Sequence, residues 1–458
     1  MYNFYGDKMN DDMEKTEIIN FENKTRVKKT EKRIDKKMNR KYIIFRLIPI
    51  LLLPILIDLT IISTHSDRLI FSPISYIIYI LVALLVYLLI YSFFSVKRKK
   101  KKRSKGKKIA VILARFFIFL YVLGCFSFVF LLYGPYSTFR DWLISTAMST
   151  MNHQYLCKWF YSDKEIEKSV KGNYIIEVNE NTNPDLIKVE VKETYENEYE
   201  EQILKRDKDQ KYKIIELTVN GQKAYLAAIY DPSKVKVTVT SALGRYGQYV
   251  TKMAEDKNAI LAVNGGGFYD PGNNSTGGMP TGVTIVNGKI ITNNNYSSYT
   301  QSGGLIGMTY DNKLVMIKNA TGNKALSMGV RDGVSWGPFL IVNGKKSFIK
   351  GNGGWGYAAR TAIGQRSDGI ILLLVVNSNS TRTKGADMVD LTEIMEKYGA
   401  INAANLDGGT STVMVLPKKE ALKYIPSCDK NYCYINDPID SILRHRTRGI
   451  ASSIIVTE

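Results

Sequence analysis

Three apolar runs in the first third of the chain constrain its architecture more than any other feature. They cover about residues 42–63, 69–96 and 109–133, and each is close to the roughly 20 residues that a helix needs to cross a bilayer. The first run is the weakest, because Arg46, Asp58 and two prolines interrupt it. We therefore expect three transmembrane helices.

Most of the net charge of +20 lies around these runs. Residues 1–133 carry 25 Lys and Arg against 10 Asp and Glu, whereas the rest of the chain carries 38 against 33. Segment 97–108, KRKKKKRSKGKK, has ten basic residues in twelve. Because basic loops remain on the cytoplasmic side, we expect residues 1–41 and 97–108 inside the cell and the chain after residue 134 outside it. This pattern predicts contact with membrane lipid and no nucleic-acid binding.

The composition divides the chain into four parts. Residues 1–41 are polar and basic and are predicted to form a disordered arm, and residues 42–133 hold the apolar runs. A juxtamembrane helix and a linker or small lead-in domain are expected over 134–213. From residue 214 to 458, short β-type runs alternate with Gly, Asn and Asp. This texture predicts a β-rich α+β domain with a mixed sheet.

Cysteine and histidine usage argues against several kinds of site. The chain has four cysteines without a C-x-x-C pair and three histidines, which disfavours zinc chemistry and a His-based triad. Cys428 and Cys433 are close enough in sequence to form a disulfide outside the cell, but free thiols explain them equally well. No cofactor and no metal site are predicted. A divalent cation such as calcium stays open through oxygen ligands such as Asp270 and Asp387.

Two strand-and-glycine motifs carry the candidate chemistry. In AILAVNGGGFYD an apolar strand ends at Asn264, and the residues that follow it include Gly265, Gly266 and Asp270. In INAANLDGGTS the strand ends at Asp407, and the residues that follow it are Gly408, Gly409, Thr410 and Ser411. Polar groups at strand ends face a cleft from a rigid scaffold, and glycines let main-chain N–H groups approach an anion. Taken singly, either motif is equally well explained as a structural turn.

Several spaced motifs together resemble the phosphodiester glycosidase family. They are NGGGFYD at 264–270, PTGVTIVNGKI at 280–290, GPFLIVNGK at 337–345, RTAIG at 360–364, NAANLDGGTSTVMV at 402–415 and RGIASSIIV at 448–456. The resemblance implies a hydrolase domain that cleaves the sugar–phosphate bond of a carbohydrate phosphodiester.

The chain departs from the family pattern at two places. The segment after the strand that follows RTAIG often reads Asp-Gly-Arg in the family, and here it offers Asn377, Ser378 and Arg382. Many relatives have Gly-Gly-Gly-Ser after the aspartate, and here residues 408–411 are Gly-Gly-Thr-Ser. The second change keeps a hydroxyl at the site, whereas the first leaves the choice of substrate open.

The reaction that the resemblance implies suggests roles for individual residues. An oxocarbenium-like carbon and a departing phosphate must both be stabilised. Asp407 and Asp270 are the candidate carboxylates, and Arg360 is the candidate phosphate clamp. The candidate substrate contacts are Asn264, Gly265, Gly266, Gly408, Gly409, Thr410 and Ser411. Structural alternatives are an ion pair for Arg360, a turn cap for Asp270, and core packing rather than sugar stacking for Trp355 and Tyr357.

These observations favour a membrane-anchored hydrolase that acts outside the cell on a surface polysaccharide or cell-wall polymer. One alternative is a catalytically idle domain that only binds a phosphosugar polymer. A second alternative is a phosphoesterase that cuts on the other side of the phosphate and releases a sugar phosphate.

Overall fold

The computed structural model describes residues 21–30, 48, 51–62, 65, 105–148, 154–188, 194–269, 276–294, 303–378, 385–437 and 447–458. The chain divides into two compact units, 1–140 with 158–163 and 141–157 with 164–458. The apolar run at 69–96, most of the basic loop, Asp270 and Arg382 lie outside the described residues.

The first unit contains one candidate membrane helix among its described residues. Helix α1 spans Lys105–Tyr133, and its segment Phe116–Tyr133 is long and apolar enough to cross a bilayer. The helix Leu51–Ile62 is apolar but shorter. The described residues thus support one candidate span and do not support the three that were expected. Residues 21–30, within the arm predicted to be disordered, form an exposed helix.

The segment before residue 214, expected to hold a juxtamembrane helix and a linker or small lead-in domain, contains several short helices and a short strand. Its elements are α2 (Ser137–Met148), α3 (Gln154–Phe160), α4 (Asp163–Gly172), β1 (Tyr174–Ile176), a 3-10 turn (Pro184–Leu186) and α5 (Glu198–Leu204). Glu177, which follows β1, accepts hydrogen bonds at 2.7 Å from the main-chain N–H groups of Gly303 and Phe339. On α5, Glu200 lies 3.3 Å from buried Arg366. Residues 141–157 and 164–213 of this segment are therefore part of the second unit.

The rest of the second unit consists mainly of short strands. In chain order the elements are β2 (Tyr212–Val219), β3 (Gln222–Ile229), β4 (Val235–Val239), α6 (Val250–Asp256), β5 (Leu261–Asn264), β6 (Val283–Val286), β7 (Lys289–Asn293), β8 (Gly304–Thr309), β9 (Leu314–Ile317), α7 (Gly322–Ser327), β10 (Val330–Trp336), β11 (Phe339–Val342), β12 (Lys345–Lys346), β13 (Phe348–Lys350), β14 (Arg360–Arg366), β15 (Ile371–Val376), α8 (Met388–Lys397), β16 (Ala400–Asn405), β17 (Met414–Pro417), α9 (Lys418–Ala421), β18 (Tyr432–Tyr434) and β19 (Ser452–Val456).

The strands form three large sheets and one small one. Their orders are β7-β6-β10-β8-β9, β12-β11-β16-β14-β15-β3-β2, β18-β17-β5-β19-β4 and β1-β13. The α+β class is confirmed. Every strand pairing among the described residues is antiparallel, so the expected mixed sheet is wrong. Short hairpin connections such as that between β2 and β3 account for the antiparallel pairing of consecutive strands, because they can join only antiparallel neighbours.

Two apolar clusters hold these layers together. The first draws buried side chains from all three large sheets, including Val263 of β5, Phe339 of β11 and Ala404 of β16. The second covers the other face of the seven-stranded sheet, where Leu391 and Met395 of α8 pack. Because β5 and β16 belong to different sheets but share the first cluster, this packing fixes one strand against the other.

Candidate active site

The two glycine motifs meet at the ends of β5 and β16. Asn264 is fully buried, and its Nδ2 atom donates to the main-chain carbonyl of Asp407 at 2.6 Å. The main-chain N–H of Asp407 donates in turn to the carbonyl of Gly265 at 3.2 Å. Residues 143 positions apart in sequence are thereby joined across two sheets.

Antiparallel pairing brings two arginines to the same end of the sheets. Ala362 of β14 pairs with Asn405 of β16, so Arg360 at the start of β14 lies beside the end of β16. Ser453 of β19 pairs with Asn264, so the chain entering β19 lies beside the end of β5. Arg448 is in this entering segment.

Asp407 is a carboxylic acid whose protonation is set by opposing effects. The residue is half-buried, and burial raises its pKa from the ordinary 3.8 to about 6. Hydrogen bonds from the Ser411 hydroxyl and from the N–H of Gly408, together with the charges of Arg448 and Arg360, pull the pKa down. The Gly408 N–H lies 2.9 Å from Oδ1. A carboxyl group with a pKa near neutrality is suited to proton transfer at physiological pH.

Arg360 is buried and is held by main-chain carbonyls. Its Nε donates to Ala386 at 3.3 Å, and its Nη2 donates to Trp355 at 2.5 Å and to Gly356 at 2.9 Å. Burial lowers its pKa to about 10, which leaves the guanidinium charged at neutral pH. Among the described residues Arg360 makes no ion pair, so the structural ion-pair interpretation is not supported.

The geometry of Arg360 limits how this candidate phosphate clamp could hold a phosphate, which a free guanidinium binds through two nitrogens. The Nε proton and both Nη2 protons of Arg360 donate to main-chain carbonyls. Nη1 is the one guanidinium nitrogen of Arg360 that has no hydrogen-bond partner among the described residues. A methyl group added at Gly408 would lie 3.5 Å from this Nη1 atom. One nitrogen, rather than the planar fork, is therefore left for an anionic ligand next to Asp407.

The glycine N–H groups do not have the role that the sequence suggested. The N–H of Gly408 donates to Oδ1 of Asp407, and that of Gly409 donates to the carbonyl of Ala359 at 2.8 Å. Both are used inside the protein, so neither is available to a substrate. Gly409 has a φ of 62°, a conformation that favours glycine and explains its presence in the turn.

Gly265 and Gly266 are required for close packing. A Cβ atom on Gly265 would lie 2.5 Å from Oγ of Ser452, and one on Gly266 would lie 2.6 Å from the carbonyl of Ser335. These glycines admit a neighbouring strand on each side, which makes them structural residues of the site.

Two of the other predicted substrate contacts, Asn264 and Ser411, also make hydrogen bonds within the protein. Oδ1 of Asn264 accepts hydrogen bonds from Thr361 at 2.7 Å and from the N–H of Val413 at 3.2 Å. Ser411 is 2% exposed and holds the Asp407 carboxylate. Thr410 remains partly exposed at the site. Asn264 and Ser411 thus position Asp407 rather than reach a ligand.

Two aromatic residues that precede Arg360, Trp355 and Tyr357, lie in its neighbourhood. Trp355 is partly exposed, with its ring centroid 6.1 Å from that of Trp336 and 6.0 Å from Cζ of Arg360. The hydroxyl of Tyr357 is hydrogen-bonded to Asp387, and burial is the main cause of its raised pKa. Asp387 also caps the start of α8, where it accepts from the N–H groups of the first turn.

Arg448 is the residue that the sequence interpretation missed. It is partly exposed, its Cζ lies 4.7 Å from the centroid of the Phe268 ring, and its charge lowers the pKa of Asp407. It is the first residue of the motif RGIASSIIV, so its position in that motif was an available signal. Its proximity to Asp407 depends on the pairing of β19 with β5, which sequence alone does not give.

Comparison with known proteins shows which family this part of the chain is similar to. The family model for phosphodiester glycosidases matches residues 257–457. An uncharacterized protein derived from the SPbeta prophage of Bacillus subtilis (strain 168), YomE, is 26% identical over 170 residues, which cover 36% of this chain and 25% of that protein. The chain thus matches a quarter of the length of this relative.

Solved structures overlap with the chain at lower similarity. The catalytic domain of zebrafish N-acetylglucosamine-1-phosphodiester alpha-N-acetylglucosaminidase, auto-inhibited by its pro-peptide, is 20% identical with a TM-score of 0.41, over 56% of this chain and 86% of that one. A hypothetical protein from Synechocystis is 15% identical with a TM-score of 0.34, over 54% and 61%. Residues 257–457 thus match the phosphodiester glycosidase family, which is the family that the spaced sequence motifs indicated.

Proposed function

We propose that the domain hydrolyses glycosyl phosphodiesters by breaking the bond between the anomeric carbon and the phosphate oxygen. The observation that supports this most directly is the environment of Asp407. Its carboxyl has a pKa raised to about 6 by burial, and the charges of Arg360 and Arg448 act on it. A proton-exchanging carboxylate beside two guanidinium groups suits a reaction that separates a carbocation-like sugar from a phosphate.

The proposed chemistry divides between the carboxylate and the cations. As the sugar–phosphate bond breaks, its electron pair goes to the phosphate oxygen, and Arg448 and the Nη1 of Arg360 stabilise the negative charge. Ionised Asp407 balances the positive charge at the anomeric carbon and accepts a proton from the attacking water. A phosphate leaving group is a weak base and needs little protonation, so one essential carboxyl group suffices. Asp270 is kept as a second candidate outside the described residues.

Product identification decides between this function and its alternatives. The 458-residue chain, purified in detergent, would be incubated with a panel of sugar phosphodiesters, with an Asp407→Asn variant as the control. Free sugar and a phosphomonoester are expected. Release of a sugar phosphate would instead indicate a phosphoesterase, and saturable binding without turnover would indicate a binding domain. Either result would overturn the proposal.

We also propose that the domain is held at the outer surface of the cell membrane and acts on a surface polysaccharide or cell-wall polymer. The apolar segment Phe116–Tyr133 supports an anchor, and the basic segment 97–108 before it supports an inside-to-outside orientation. Multi-pass topology, with three spans and a cytoplasmic N-terminus, is part of this proposal.

The topology is testable with single cysteines in a background that lacks the four native ones. An impermeant maleimide applied to intact cells should label positions after residue 134 and not positions within 97–108. Permeabilised cells, in which both regions should react, provide the control. The reverse labelling pattern in intact cells would show that the orientation is wrong.

A further inference from the structure

Loop 351–356, which supplies two of the carbonyls that bind Arg360, has a glycine-rich backbone with little intrinsic preference for one conformation. Within residues 351–356, GNGGWG, the glycines at 351, 353, 354 and 356 have φ values of 59°, 75°, 80° and 61°. Glycine loses more conformational freedom on folding than any other residue, so a loop of this composition requires external contacts to stay in one conformation. The last residues of this loop, Trp355 and Gly356, supply the carbonyls that bind Nη2 of Arg360.

Asn352 supplies such contacts to residues before the glycosidase domain. It is 5% exposed, and its Nδ2 donates to Oγ of Ser145 on α2 at 2.6 Å. Its main-chain N–H donates to Oδ1 of Asn173 at 3.1 Å, and its own Oδ1 accepts from the N–H of Gly354 at 3.1 Å. One buried amide side chain therefore connects the loop to itself and to α2.

The residues that receive Asn352 are themselves fixed. Nδ2 of Asn173 donates to the carbonyl of Ser169 at 2.7 Å, at the end of α4. The hydroxyl of Ser169 donates to Oδ1 of Asp141 on α2 at 2.8 Å. A Cβ atom at Gly351 or Gly354 would clash with Asn173, so the loop lies directly against this residue.

We propose that Asn352 is a positioning residue for Arg360, and that Ser145 on α2 and Asn173, which precede the family domain, complete the active site through it. The connection runs from α2 and Asn173 to Asn352, from there to the carbonyls of Trp355 and Gly356, and finally to the Arg360 guanidinium. Its kinetic consequences rest on the proposed function. The physical basis is that a buried guanidinium stays where its acceptors are, because losing them leaves charged donors unsatisfied.

The test is Asn352→Ala in the whole 458-residue chain. Displacement of Arg360 by a fraction of an ångström to one ångström should lower kcat/KM by about ten- to a hundredfold. The acid limb of the pH profile of kcat/KM should also move to higher pH, because the Arg360 charge lowers the pKa of Asp407. The other groups that set this pKa are Arg448, Ser411 and Gly408, and the substitution leaves them in place. Ser145→Ala removes one of the three hydrogen bonds and should produce the same changes to a smaller degree.

Gln365→Ala is the matched control. Gln365 is a fully buried amide at the other end of β14, and among the described residues its side chain bonds to main-chain atoms of Asn312, Leu314 and Gly369. Its removal should lower the melting temperature as Asn352→Ala does, but should leave kcat/KM and the acid limb unchanged. If Asn352→Ala behaves like Gln365→Ala in both kinetic measurements, Asn352 is only a structural residue and the proposal is wrong.

Hydrogen–deuterium exchange separates this proposal from the proposed function. Asn352→Ala should increase deuterium uptake in the peptide that covers residues 351–360, whether or not any substrate is turned over. If the wild type cleaves none of the sugar phosphodiesters, the proposed function fails while the exchange result still decides whether the loop depends on Asn352. Unchanged uptake would overturn the positioning role. If the alanine variant does not fold, Asn352→Asp, which keeps the acceptor for Gly354, carries the same measurements.

Discussion

The amide nitrogen of Asn264 donates to the main-chain carbonyl of Asp407 across 2.6 Å. This contact fixes the end of β5 against the end of β16, although the two strands belong to different sheets. The carboxyl group of Asp407 is therefore presented from a rigid position, and Asn264 contributes to that position through its hydrogen bonds within the protein. The same arrangement places Arg360 and Arg448 where their charges act on Asp407.

Asp407→Asn should reduce turnover by about a hundredfold, the low end of the effect of a positioned proton-transfer group. The measurement is kcat on a sugar phosphodiester with folding verified by circular dichroism. Near-normal turnover with lost stability would show that Asp407 is a structural turn residue, and Asp270 would then become the candidate carboxylate.

The same substitution makes a prediction about stability and pH. Burial raises the folded-state pKa of Asp407 to about 6 from an ordinary 3.8. The Asp407 carboxyl therefore stabilises the folded state fully at pH values below its unfolded pKa of 3.8. This stabilisation is lost as the pH rises from there through about 6, because ionising the buried carboxyl is unfavourable. The loss is at most about 3 kcal/mol. Asp407→Asn should therefore raise the melting temperature at about pH 7.5 and lose this advantage at about pH 4.5. A lower melting temperature at both pH values would contradict this account.

Arg448→Gln should move the acid limb of the kcat/KM profile to higher pH. Burial raises the pKa of Asp407, and the positive charge of Arg448 lowers it. Removing this charge should therefore raise the pKa of Asp407 above about 6. Arg448→Lys retains the charge and is the control, with a limb close to that of the wild type. An acid limb that is identical in all three proteins would exclude Arg448 from the environment of the titrating group.

Arg360→Lys should lower both kcat/KM and stability. Lysine keeps the charge but cannot reach the carbonyls of Ala386, Trp355 and Gly356 together, because it lacks the planar guanidinium. Unsatisfied buried carbonyls should cost on the order of 1–3 kcal/mol of unfolding free energy. Melting temperature and steady-state kinetics would be measured on the same preparation. Unchanged kinetics in folded protein would remove Arg360 from the site.

The Cys428–Cys433 pair, which the sequence left open, is a disulfide with Cα atoms 5.9 Å apart. Cys433 pairs with Leu416 near the end of β17, away from Asp407. Replacing both cysteines by serine should therefore lower stability by about 2 kcal/mol, as expected for so short a loop, with little change in kcat. Differential alkylation and mass spectrometry of protein from cells should find both thiols oxidised. Free thiols at both positions would contradict an extracellular location.

Local sequence determined the features that depend on neighbouring residues. The segment DMVDLTEIMEKYG has apolar residues at helical spacing and ends in a glycine, and α8 runs from Met388 to Lys397, with Asp387 at its N-cap and Gly399 after it at a φ of 80°. The apolar runs VTIV and FLIV coincide with β6 and β11. Capping, glycine stops and apolar spacing act within a few residues, so they can be interpreted without knowing the rest of the fold. The motif at Asp407 belongs to this group, because a polar residue that follows a buried strand is visible in the sequence.

Only the tertiary structure decided what each polar group near Asp407 does. The sequence allowed Gly408 and Gly409 to bind a substrate, but their N–H groups donate to Asp407 and Ala359 instead. The sequence allowed the Arg360 guanidinium to bind a phosphate through two nitrogens, but three main-chain carbonyls accept hydrogen bonds from its Nε and Nη2 atoms. It gave no reason to place Arg448 beside Asp407. The physical reason is the same in each case. The hydrogen-bond partners and charges around Asp407 come from segments that are far apart in the chain, and these segments become neighbours only when β14 pairs with β16, β19 pairs with β5, and the two sheets pack together.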